Sequence, residues 1–474
     1  MFITKKGKFS CELSLEALKI LLSGIKKIAA NFNNAKNEID EIKDQDPSTA
    51  NREPSRTTHY LRAEDLLVLP RDALLNEQGK EIVIRIGEDF IRGNKLENNT
   101  SPEFVYRELI NLLGSRDFYT QEDIDIKGAI LFFETLKKSI TENISSTKVV
   151  IVPVLGASLE KGQRCIIGSV EFINTSDFVE QYSTTFKAVR NSDYSQLLND
   201  WEDMYQKTDL IAQVKIKNRD SSLAKSATDE IMKRIYTLVR LILPRIGAQH
   251  LFFGTLGEEY LDTRYSLLMK LDDRENVNSL ETNTTRNRFS DNEINLLEVV
   301  SQYQPGNSNY EQGKEWFSQC ESIISKYVNG EDTTDFQKRV WTALYWLGET
   351  MVEREINSLI IKYATCLEAL FNSREGGISE QISEFTAFVC GASTDERINI
   401  YDNVKNLYKL RSTAVHGGDT GITIEDRFLN RIQQICERAV VDMSSYSCQE
   451  HWLTSKGYQN FIRYILREYR FSET

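Results

Sequence analysis

Apolar positions along the chain follow three patterns in turn. In the first, Leu15, Leu18, Leu22, Ile25, Ala29 and Phe32 step by three and four, which predicts a long helix over residues 14–43 with one apolar face. With only about three such repeats, a helix packed on its own domain accounts for the stripe better than a coiled-coil dimer does. Residues 44–58, with Pro47 and Pro54 among small polar residues, predict a linker or loop. The second pattern mixes periods as far as about residue 271. β-Branched runs at 81–86, 147–155 and 165–173 predict strands, with Gly156 and Gly162 turning between the last two, and 210–217 alternates apolar with polar. Helical spacing recurs between them at 103–113, 127–140 and 222–243. Residues 272–292 then turn polar, with almost no apolar periodicity. The third pattern is nearly all helical, at 309–329, 335–371 with a break near Glu353, 378–389, 395–411, 423–446 and 457–469. Together these predict an α+β N-terminal region over 1–272, a polar linker over 273–308 and an all-α bundle over 309–474.

One helix of the third pattern carries polar chemistry where apolar residues belong. Ile400, Val404, Leu407 and Tyr408 recur at helical spacing, and the next position on that stripe is Arg411. A guanidinium there must pack against the fold, pair with a partner, or face an opening that welcomes a ligand's charge. His416 follows, one of four histidines in the chain. Gly417 and Gly418 suit a helix C-terminus, because glycine reaches the left-handed conformation. Residues five apart on an unbroken helix diverge by about 140°, so Arg411 and His416 converge only if the helix loosens after Arg411 or a second copy supplies the partner. Ser393 and Glu396 fit a capping box that starts this helix. Ser412 and Thr413 are short hydroxyl residues able to hold a phosphate oxygen or to finish the helix. Lys405 and Lys409 fall on roughly the opposite face from Arg411 and are expected as solvated surface or a remote phosphate contact rather than as part of the site. Upstream, Glu368 sits beside the apolar stripe of Leu359, Tyr363, Cys366 and Leu370, where a carboxylate needs a cationic partner or solvent.

An arginine, four residues and a histidine, in the setting Tyr408 to Gly417, resembles the signature of HEPN domains, in particular the Apea-like group associated with bacterial anti-phage defence. Trp346-Leu-Gly348 and Cys366-Leu-Glu-Ala-Leu-Phe371 resemble further pieces of that family, and the similarity covers roughly residues 310–474. The resemblance implies a metal-independent endoribonuclease with Arg411 and His416 catalytic, Glu368 supporting the arginine, and Ser412 and Thr413 beside it. It also implies an RNA substrate, which tRNA would fit, a 2′,3′-cyclic phosphate product, a homodimer formed through the bundle, and an N-terminal region that senses a phage-derived trigger. The histidine is not followed by x-Tyr, which separates the chain from HEPN toxins that carry a modified tyrosine there.

Composition narrows the alternatives. The net charge is −12, so nucleic acid must be captured locally rather than by a broad basic surface; this also suits a HEPN-like module that binds RNA or protein without cutting. Seven cysteines without a C-x-x-C pair argue against a disulfide framework or zinc ribbon, and no histidine pair has metal-ligand spacing. His250 beside Leu251-Phe-Phe253, His451 beside Trp452, and His59 read as packed or surface residues. Gly156 to Lys161 and Gly313-Lys314-Glu315 lack the Gly-Lys-Ser/Thr ending of a phosphate loop, so no nucleotide cofactor is expected. Absence of a long apolar run or a signal segment predicts a cytoplasmic protein without a membrane span.

Overall fold

The computed structural model describes residues 77–97, 99–113, 126–183, 187, 208–246, 253–255, 265–271, 277–284, 294–311, 313–353, 355–372, 377–416 and 426–471. The helix expected over 14–43 and the loop over 44–58 lie outside these. The chain divides into two compact units, one of Met1–Lys148 with Ile216–Ser226 and one of Val149–Lys215 with Ala227–Thr474.

Among the described residues, the first unit is built on helices α1 (Glu77–Asn94), α2 (Pro102–Leu113) and α3 (Ile126–Ser145). The run 81–86, expected as a strand, lies inside α1. Its period is helical once Gly87, Phe90 and Ile91 are counted with it: these three are buried, while Ile84 is exposed. β-Branched residues favour strands only weakly, and a helical packing face overrides them. Asp220, fully buried, ties together the starts of two helices, accepting from Ser101 N at 2.5 Å and from Leu223 N at 2.8 Å.

The second unit joins a small sheet to a helical bundle. Strands β1 (Lys148–Leu155), β2 (Ala157–Ser158), β3 (Arg164–Ile167), β4 (Val170–Asn174), β5 (Leu210–Ile216) and β6 (Gly254–Thr255) include five in one sheet, ordered β3-β4-β5-β1-β6. The run 165–173, expected as one strand, is a hairpin: Ile167 pairs with Val170, and Gly168 and Ser169 both have positive φ, 55° and 66°, the two-residue turn that matches strand twist. Gly168 has a second reason to lack a side chain, since a Cβ there would lie 2.4 Å from Ile324 Cγ2. Strand β5, expected to alternate, is buried at every position but Lys215, because a strand between β4 and β1 is covered on both faces. Helix α4 (Thr175–Gln181) follows β4, its first turn capped by Asn174.

The described parts of residues 273–308, expected as a polar linker, include regular structure. Strand β8 (Val277–Thr284) pairs antiparallel with β7 (Tyr265–Leu271). Strand β9 (Ile294–Asn295) pairs in parallel with β2, and α6 (Leu296–Ser301) buries Leu296, Val299 and Val300. The compact units are accordingly not separated at residue 272: the sheet residues group with the bundle. Main-chain pairing, which polar side chains do not forbid, ties this stretch in.

Helix α5 (Ser221–Ile242) precedes the C-terminal bundle of α7 (Glu315–Asn329), α8 (Asp335–Val352), α9 (Ile356–Phe371), α10 (Ile378–Cys390), α11 (Thr394–Val415), α12 (Asp426–Ser447) and α13 (Gly457–Phe471). The break expected near Glu353 separates α8 from α9, with Glu355 capping α9 through Asn357 N and Ser358 N. A capping box of Thr334 and Gln337 starts α8. The bundle's core takes Phe317 and Ile324 from α7, Val340 and Leu344 from α8, Leu367 and Leu370 from α9, Val404 and Leu407 from α11, and Cys436 and Val440 from α12, all fully buried. Gly348 lets α5 approach α8: a Cβ there would lie 2.0 Å from Thr237 Oγ1. On the same seam the buried Arg234 guanidinium lies 3.9 Å from the Trp341 ring centre and its Nε donates to Trp341 O at 3.1 Å.

Candidate functional site at the end of helix α11

Helix α11 starts where Ser393 accepts from Glu396 N. Glu396 reaches back one residue further than a capping box requires, to Ala392 N at 2.8 Å. The helix buries Ile400, Val404, Leu407, Tyr408 and Leu410, and the stripe ends at Arg411. There the guanidinium meets Glu368 of α9: Nη2 lies 3.3 Å from Oε1 and 3.5 Å from Oε2. The Glu368 side chain is only 20% exposed and that of Arg411 35%, so this carboxylate is a partner held in the fold and not a solvated edge residue. Arg411 Nε is enclosed without a hydrogen-bond partner, so the pair engages one end of the guanidinium only. Tyr408 packs beside them, its hydroxyl donating to Ala364 O at 3.4 Å; burial, and next the Glu368 charge, push its phenol well above the usual range.

His416 is the C-cap of α11, its N–H donating to Ser412 O at 3.2 Å, and its side chain is exposed. The helix stays regular from Arg411 to Val415, so it does not loosen to bring arginine and histidine side by side. Gly417 and Gly418 lie outside the described residues. Even so, Arg411, Ser412 and His416 all line one open pocket of about 660 Å³, within the usual size of a ligand site. Thr413 does not line it; its hydroxyl is turned back to Lys409 O at 3.2 Å.

Lys405 and Lys409, expected away from the site, line the same pocket. The helical-wheel argument fails because the opening takes its lining from α11 all the way from Asp402 to His416, together with Ile378 and Ser379 of α10. Sequence reasoning also missed Glu380 of α10, which takes both the Tyr401 hydroxyl and the Lys405 ammonium. Those two contacts hold its carboxyl below the usual range. Nothing local in the sequence marks Glu380, since its partners lie more than twenty residues downstream.

The other pieces of the motif are structural. In Trp346-Leu-Gly348, Leu347 is fully buried and Gly348 faces Thr237. In Cys366 to Phe371, Cys366, Leu367, Leu370 and Phe371 are core residues and Glu368 alone reaches the site. The six described cysteines are free. The His451 ring is exposed and lies 4.3 Å from that of Trp452; His59 and His250 fall outside the described residues. Among the described residues, no group of three or more metal-ligating side chains is assembled, and no helix is long and apolar enough to cross a membrane. No protein-family model, curated protein or solved structure matches the chain.

Proposed function

We propose that the protein is an endoribonuclease of HEPN type whose site is the pocket at the end of α11. The observation that carries this is the pairing of roles: an arginine pinned by a carboxylate from a neighbouring helix, and an exposed histidine, on one open pocket. Glu368 fixes where the guanidinium points, and a guanidinium matches the geometry of a phosphate bearing developing charge. In the reaction, the ribose 2′-oxygen attacks the adjacent phosphorus as its proton passes to the base, and the bond to the 5′-oxygen breaks as that oxygen gains a proton. A 2′,3′-cyclic phosphate and a 5′-hydroxyl result. Histidine is the side chain suited to moving either proton near neutral pH, and His416 takes that role. DNA, without a 2′-hydroxyl, is bound but not cut.

By the same resemblance, the N-terminal region senses a phage-derived trigger, and the RNA cut is host or phage RNA, with tRNA a candidate. A second reading rests on a specific observation: Arg411 and His416 diverge around a regular helix, and the chain is acidic, which suits a module that holds RNA or a protein without cutting. Purified protein incubated with mixed RNA in EDTA separates the two. Cleavage that disappears in Arg411→Ala and in His416→Ala supports the nuclease; binding without cleavage supports the module.

A further inference from the structure

We infer that Lys409 and Lys405 form a short track for the phosphates next to the one that is cut, and that Glu380 holds Lys405 back from it. This rests on the nuclease reading above and adds the form of the substrate, a flexible single strand laid along one face of α11. Both lysines line the pocket with Arg411 and His416. Four helical residues advance about 6 Å, of the order of the spacing between consecutive phosphates, so Lys409 and Lys405 meet successive phosphates leading away from the reacting one. Asp402 ends the track, a carboxylate on the same wall one turn before Lys405. Cleavage itself requires a strand free to align its 2′-oxygen opposite the leaving oxygen, which a regular duplex does not allow.

The two lysines differ in availability. Lys409 is exposed and, among the described residues, has no ion pair. Lys405 is bound to Glu380, whose other oxygen takes the Tyr401 hydroxyl. A phosphate approaching Lys405 must displace this carboxylate, so Glu380 weakens the far end of the track and favours strands that bind strongly enough to exchange it. Both groups are solvent-accessible, at 43% for Lys405 and 49% for Glu380, so the exchange needs side-chain rotation only.

The test measures binding of the full-length chain to an unstructured RNA oligonucleotide as a function of salt, with His416→Ala as background so that the RNA stays intact. Each phosphate contact contributes about 0.7 to the slope of log affinity against log salt on a single strand. Lys409→Ala should lower the slope by about that amount, so that its loss of affinity narrows by roughly 2.5-fold for a fourfold rise in salt. Glu380→Gln should do the opposite, tightening binding and raising the slope, and Lys405→Ala should cancel that gain. A DNA strand of the same sequence should give the same slopes. Unchanged slopes in Lys409→Ala, or weaker binding in Glu380→Gln, would overturn the track. If wild type still cuts RNA and Arg411→Ala does not, the nuclease stands without the track; if no RNA is bound or cut, both fall.

Discussion

Glu321 tests whether the burial of one carboxylate sets the pH dependence of stability. It lies on α7, where its carboxylate accepts from Gln304 Nε2 at 2.5 Å and from Gly168 N at 3.3 Å at the tip of the β3–β4 hairpin. Burial pushes its carboxyl up from the ordinary 4.5 to about 7, with the two hydrogen bonds opposing. Next to it, burial and then the Glu321 charge push the Cys165 thiol up to about 12. Because the folded state holds the Glu321 proton more tightly than the unfolded chain, stability falls as pH rises from about 4.5 to about 7, and the full cost is present above that window. At about 1.4 kcal/mol per pH unit, the gap between 4.5 and about 7 sets a ceiling of ~3 kcal/mol, and residual solvent reduces it to about 1–3 kcal/mol.

Glu321→Gln keeps an oxygen to accept from Gly168 N and removes the charge. The variant should be more stable than wild type at pH 8 by about 1–3 kcal/mol, with the difference vanishing or reversing near pH 5. All five tryptophans fall within the second unit, so tryptophan fluorescence during urea unfolding reports the unit that contains Glu321. A variant less stable at pH 8, or one whose pH dependence parallels wild type, would show that the hydrogen bonds outweigh burial.

Two further substitutions probe packing and the site. Gly348→Ala should destabilise the second unit by about 1–3 kcal/mol, because the buried Thr237 hydroxyl in its way is bonded to Lys233 O at 2.8 Å; adding Thr237→Ala should recover much of the loss, and additive effects in urea unfolding would refute this contact. Glu368→Gln should lower RNA cleavage with circular dichroism unchanged, since the amide keeps the volume and removes the charge that pins Arg411; full activity would leave Glu368 without a role.

Much of the bundle is legible in the sequence, because each helix announces its apolar face and its ends. Ser393 and the break at Glu353 fall where spacing and capping place them, and Arg411 stands out because it interrupts a stripe that Tyr408 and Leu407 define. What escapes is set by partners remote in the chain. The run 81–86 looks like a strand until its helical neighbours Phe90 and Ile91 bury beside it. Residues 273–308 look like a linker because β8 is tied in by main-chain pairing to β7, which its polar side chains do not announce, and the buried Leu296, Val299 and Val300 of α6 form too short a run to mark a helix by spacing. Lys405 and Lys409 look remote from Arg411 because a helical wheel shows angles and not the shape of the opening, which α10 helps to line. Glu380 leaves no local signal, as its role exists only once α10 lies beside α11.

The arrangement of Arg411 and His416 bears on how many chains make a site. The helix between them is unbroken, so their side chains leave the axis about 140° apart. Transesterification needs a base on one side of the phosphorus and an acid on the other, and each chain brings one histidine to the pocket. A two-fold interface is self-complementary, so α11 against α11 would set two Arg411–His416 pairs facing each other and supply both proton-transfer groups. The exposed apolar side chains Ile378 and Val415, both on the pocket wall, would be covered by such a contact. The prediction is that activity requires both copies of His416. Wild-type chains mixed with excess His416→Ala, under conditions where subunits exchange, should lose activity per wild-type chain as mixed dimers form. Activity that stays constant across the mixing series would instead assign the whole reaction to a single chain, with one histidine serving as base and then as acid.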